Sequence, residues 1–148
     1  MNKNSAAWYC TIKMPGLPKT YNKNRFDRKI YNTEKRLWFN RIQDFFIRNN
    51  FRIPEKPLTK CEINYTLGSA RARDYDNLVS SFKVLTDSLV RHGILKDDNM
   101  QVIQKQNYAW QYAPRNEGYV QIEIREIKPV VDQELTKISS LYFEKTEK

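Results

Sequence analysis

Residues 119–127 set the first limit on what this chain can fold into. Val120, Ile122 and Ile124 alternate there with Gln121, Glu123 and Arg125. Side chains point to opposite faces of a strand in turn, so this is a β-strand with one apolar and one polar face. It needs neighbouring strands and a covering layer. Residues 59–67 predict a second strand, with Cys61, Ile63 and Tyr65 on one face and Gly68 ending it. Residues 8–14 and 100–110 supply two more, and residues 114–118 read as a hairpin loop joining the last pair.

The covering layer is also legible. Leu78, Phe82, Leu85 and Leu89 recur at four, three and four residues, which predicts a helix over 77–90. Gly93, just after His92, suits the left-handed residue that closes such a helix. An earlier helix is expected with Thr33 as N-cap, Glu34 in its first turn, and Leu37, Trp38, Ile42 and Phe45 on its buried stripe. It should end near Asn49 and Asn50, before a loop marked by Pro54 and Pro57. Pro15, Gly16 and Pro18 make a loop after the first strand, and residues 19–29 read as a basic arm.

The order β-α-β-α-β-β predicts a single α+β domain over 1–128, built on a mixed or antiparallel sheet. Beyond it, a helical C-terminal extension is expected over 129–148, on which Val131, Leu135, Ile138 and Tyr142 would share one side.

Charge narrows the partner. The 148 residues hold 26 Lys and Arg against 17 Asp and Glu, a net charge of +9. That excess favours a polyanion, nucleic acid before acidic lipid. No run approaches the ~18 apolar residues of a membrane span, and residues 1–7 lack the apolar core of a signal peptide. A cytoplasmic location is expected. Cys10 and Cys61 have no ligand-like spacing and read as reduced core residues. One histidine and no apt cysteine argue against zinc. No phosphate-binding glycine loop supports a nucleotide cofactor.

The chemistry concentrates in Arg71-Ala72-Arg73-Asp74-Tyr75-Asp76-Asn77-Leu78. If this strand-to-helix junction is extended, Asp74 and Asp76 share a face and reach one hard cation such as Mg²⁺. Asp98, beside Asp97 in the turn after the helix, is the candidate third carboxylate. Arg71 and Arg73 stand where guanidinium groups would meet phosphate oxygens. Lys83 and Ser80, seven and four residues after Asp76, would look toward the same place along the helix. Read alone, the same residues are also what a helix cap at Asp76, an Asp74–Arg73 ion pair and an ordinary Asp97–Asp98 turn would give. A nucleotidyltransferase reading founders on spacing: only four residues separate Gly68-Ser69 from the acids, with no room for a helix.

Arg73-Asp74-Tyr75-Asp76-Asn77-Leu78, a helix, and Lys96-Asp97-Asp98-Asn99-Met100-Gln101-Val102 together resemble the RusA family of Holliday junction resolvases. The opening Met14-Pro15-Gly16-Leu17-Pro18 is similar to that family's Pro-rich segment, and the resemblance spans residues 8 to 127. It implies a Mg²⁺-dependent endodeoxyribonuclease, with Mn²⁺ as a substitute. Its metal ligands fall on Asp74, Asp76 and Asp98, with Asp97 either assisting or only orienting Asp98. The family's helical lysine falls near Ser80, which leaves Lys83 as the replacement. The resemblance also implies a homodimer, whose twofold axis matches that of a four-way junction. DNA would be held by Arg71, Arg73, Lys19, Lys23, Arg25, Arg28 and Lys29, with Tyr21 or Phe26 stacking on open bases. The alternatives are a non-catalytic DNA-binding protein of the same fold and a nuclease acting on forks or flaps.

Overall fold

The computed structural model describes residues 7–20 and 27–128. The expected extension over 129–148 lies outside them, as do Tyr21, Lys23, Arg25 and Phe26 of the basic arm.

The apolar alternation builds one four-stranded sheet. Its strands are β1 (Tyr9–Pro15), β2 (Cys61–Ser69), β3 (Ile103–Tyr112) and β4 (Tyr119–Glu126), in spatial order β1-β4-β2-β3. β4 runs antiparallel to both β1 and β2, whereas β3 runs parallel to β2. The sheet is therefore mixed, and the domain is α+β. Cys10, Ile12, Met14, Cys61, Ile63, Tyr65, Leu67, Val120, Ile122 and Ile124 are buried on one face. The opposite face keeps the polar alternates, among them Glu62, Asn64, Gln121 and Glu123. The two cysteines are free, and burial raises their thiols to about 12 and about 11 respectively, so neither is reactive.

The strands expected to form a hairpin do not pair. β2 lies between β3 and β4, and the connecting segment passes the end of β2, where the Ala113 N–H donates to the Ser69 carbonyl at 3.1 Å. Burial explains the order: β4 presents three fully buried residues and takes a central place, whereas most of β3 is exposed and suits an edge. β3 also starts later than expected, at Ile103. Asn99 Oδ1 accepts from the Gln101 and Val102 N–H groups and holds them in a turn.

Helices cover the apolar face. α1 (Arg28–Arg48) starts at Asp27, whose side chain accepts from the Lys29 N–H at 2.8 Å. Thr33, the expected cap, is inside the helix and bonds back to the Lys29 carbonyl. Arg28 and Lys29 thus belong to a helix and not to an arm. The buried stripe is Glu34, Trp38, Ile42 and Phe46, a strict four-residue repeat, and Leu37 is exposed. Glu34 sits in the core because it accepts a hydrogen bond from Trp38 Nε1 at 3.0 Å.

The helix expected over 77–90 is two helices, α2 (Tyr75–Ser81) and α3 (Lys83–Arg91), with Phe82 at the joint. Ser80 and Ser81 both donate to the Asn77 carbonyl, at 3.1 and 2.5 Å. Such back-bonding bends helices. The apolar stripe survives the break: Leu78, Phe82, Leu85 and Leu89 are all buried. The Tyr65 hydroxyl, fully buried beneath α3, reaches Thr86 Oγ1 at 2.6 Å. α3 closes at His92, and Gly93 is left-handed with φ +78°. Together β2, the helix pair and β3 form a parallel β-α-β unit, which returns the chain to the beginning of β2.

Candidate active site

Asp74 ends the extended connection after β2, with φ −59° and ψ 151°. Asp76 is in the first turn of α2. The two acids therefore do not share an extended segment; they flank the start of a helix instead. Both are exposed, and among the described residues neither carboxylate has a hydrogen bond or salt bridge. Asp74 occupies the cap position without capping, and no ion pair joins it to Arg73. Neither structural role open to this pair is used.

Arg73 is committed elsewhere. Its Nη1 donates to the Pro18 carbonyl at 2.8 Å and to Ser81 Oγ at 2.7 Å. Burial lowers its pKa from the ordinary value. It ties the Pro-rich loop after β1 to the end of α2. Arg71 is exposed, and its carbonyl accepts from Ser69 Oγ at 2.6 Å. Arg71, Arg73 and Arg115 line a pocket of about 410 Å³ with Leu17, Ser69, Ala70 and Ala72. Arg115, from the β3–β4 connection, is a functional candidate that linear spacing misses. Its approach depends on that connection crossing the end of β2.

Asp98 goes to a different neighbourhood. Its carboxyl is held above the ordinary range by partial desolvation first, then by a hydrogen bond with Asp97 and by the charge and hydrogen bond of Asp87 on α3. Asp87 also accepts a hydrogen bond from the Tyr31 hydroxyl of α1. Lys83 stands with this group, its Nζ 5.9 Å from the Tyr31 ring centre. With the helix broken at Phe82, Lys83 is not two turns along one helix from Asp76. Asp97 accepts from the Asp98 N–H at 2.7 Å and from Asn99 Nδ2 at 3.2 Å, the bonding of a turn residue.

Among the described residues, no group of three or more His, Cys, Asp and Glu side chains is placed to hold a metal ion. Asp74 and Asp76 thus flank the start of α2, and Asp98 meets Asp97 and Asp87. The first pair has donor chemistry that suits Mg²⁺: two exposed carboxylates, for an ion that keeps several waters and shares substrate phosphates.

Lys19, exposed after Pro18, and Arg28 and Lys29, exposed at the start of α1, are the described members of the expected basic patch. His92 is structural. Its ring stacks on Phe39 at 4.0 Å, and Nε2 lies 3.1 Å from the Phe39 carbonyl. No family model and no curated protein sequence matches this chain.

Proposed function

We propose that the chain is a Mg²⁺-dependent, structure-specific endodeoxyribonuclease of the RusA type. In this reading it resolves four-way junctions by paired symmetric nicks, as a homodimer in the cytoplasm of a bacterial or phage-infected cell. The observation that carries the reading is the Asp74–Asp76 pair, unpartnered among the described residues and directly following the segment that lines a three-arginine pocket.

Each residue of the site takes a role in this reading. Asp74 and Asp76 would hold Mg²⁺, or Mn²⁺ in its place. When bound, such an ion lowers the pKa of a water and offsets charge on the leaving oxygen of a phosphodiester. Arg71 and Arg115 present guanidinium groups to backbone phosphates on the pocket side of the pair. Arg73 keeps the acidic junction in place through Pro18 and Ser81. Lys19, Arg28 and Lys29, with Lys23 and Arg25 of the same basic stretch, extend the grip on DNA. Asp98, Asp97 and Lys83 enter the reading on the motif alone. No described helix is long and apolar enough to cross a membrane.

A second reading, a non-catalytic DNA-binding protein, draws on the engagement of Asp98 with Asp87 and Asp97 instead of with the pair. Asp76→Asn separates the two. The nuclease reading expects cleavage of a four-way junction to fall at least a hundredfold, with junction binding retained or tightened as a negative charge is removed. Cleavage at the unmodified rate would remove Asp76 from the site. Asp98→Asn, assayed alongside, reports whether the third acid contributes to cutting.

A further inference from the structure

β3 carries an aromatic row that core packing accounts for only at its first member. Tyr108, Trp110 and Tyr112 alternate along it, so all three lie on the helix-bearing face of the sheet. Tyr108 is covered: it stacks on Tyr65 at 4.7 Å and lies 6.1 Å from Phe82. Cover is then lost along the strand, with Trp110 41% and Tyr112 65% exposed. α2 mirrors this. Phe82 is buried, Val79 three residues earlier is 42% exposed, and Tyr75 four residues before that is 75% exposed. A helix places these three on one face. Strand and helix thus open toward the same end, where Asp74 and Asp76 stand.

Trp110 does not move freely there. Its Nε1 donates to Ser69 Oγ at 3.0 Å, and Ser69 Oγ donates in turn to the Arg71 carbonyl. The indole is therefore oriented by the same basic connection that leads into Asp74. A held, partly exposed aromatic ring, joined through Ser69 to a connection whose Arg71 has no salt bridge among the described residues, suits a planar base on an anionic backbone.

We propose that Trp110, with Tyr112 two residues on along the same strand face, is a stacking platform for unpaired bases at a DNA branch point. The proposal rests on the DNA-binding reading of the neighbouring site and names what that site recognises. Stacking discriminates open bases from paired ones, because a base inside a duplex has no free face. Arginine contacts to phosphate lack that discrimination.

The test uses the full chain in chelator, where nothing is cut. Binding is measured to a fork with 2-aminopurine in its unpaired arm and to a continuous duplex of the same length. Trp110→Ala is expected to weaken fork binding about tenfold, the scale of one lost base stack, and to abolish the 2-aminopurine quench while duplex affinity holds. Trp110→Phe restores most of both. Tyr112→Ala, a change on an exposed strand surface, is expected to cost fork binding without touching the fold. Equal losses on fork and duplex overturn the proposal. So does a Trp110→Ala chain of halved solution mass with fork binding unchanged, which would assign the face to a second copy. Selective fork binding without Mg²⁺-dependent cutting sinks the nuclease reading and leaves this one standing. Junction cutting with unaltered fork binding in Trp110→Ala does the reverse.

Discussion

Arg73 and Arg71 are two residues apart, and their chemistry diverges because of partners far away in sequence. Pro18 and Ser81 take the Arg73 guanidinium, and nothing among the described residues takes that of Arg71. Arg73→Ala should therefore lower stability by roughly 1–3 kcal/mol, the range for losing charge-assisted hydrogen bonds, read from the urea midpoint. Arg71→Ala should leave that midpoint within about 0.5 kcal/mol. It should instead weaken DNA binding and reduce the slope of log affinity against log salt by about one. A large stability loss in Arg71→Ala would contradict the assignment. At this scale the sequence reveals which chemistry is present but not where it points. The Asp-Tyr-Asp spacing marked the two acids, yet their freedom from cap and ion pair is a fact of three dimensions. Arg115 carries no motif at all, and its place depends on which strands are neighbours.

Elements were legible where burial is periodic. The β4 alternation and the Leu78, Phe82, Leu85, Leu89 stripe both pack as their spacing implies. Boundaries set by polar side chains were less so. Asp27 outranks Thr33 as the cap of α1, and the serine pair splits α2 from α3. Asp27→Ala should cost about 1 kcal/mol, the usual value of an N-cap, measured by thermal or urea unfolding; Thr33→Ala should cost less. The hairpin expectation failed because sequence adjacency says nothing about a strand inserted between two others. Gly68, in β2, marks how closely that sheet is built. An added Cβ would lie 2.1 Å from the Tyr119 ring. Gly68→Ala should destabilise by roughly 1–3 kcal/mol, as overpacking does, and Tyr119→Ala in the same chain should recover part of it. Additive losses in the double variant would show that the ring is not the obstacle.

For the whole molecule, pH and assembly are the accessible levers. Burial against Phe39 and Phe46 lowers the His92 pKa, the Phe39 carbonyl opposes the shift and Arg91 adds to it. The folded state then binds fewer protons than the unfolded chain just below the ordinary value of 6.5. This contribution to stability is complete above pH 6.5 and is lost as pH falls through the folded value. The urea midpoint should decline from pH 7.5 to 5.5, and His92→Gln should flatten that decline. A dimer should appear in light scattering at twice the 17.8 kDa of one chain, and a mass near 17.8 kDa would count against paired nicking. The most direct measurement offers a four-way junction, a fork and a linear duplex to the chain, with Mg²⁺ or with chelator. Paired symmetric nicks are expected in the junction, only with Mg²⁺. Cutting of all three substrates alike, or of none, would contradict that expectation.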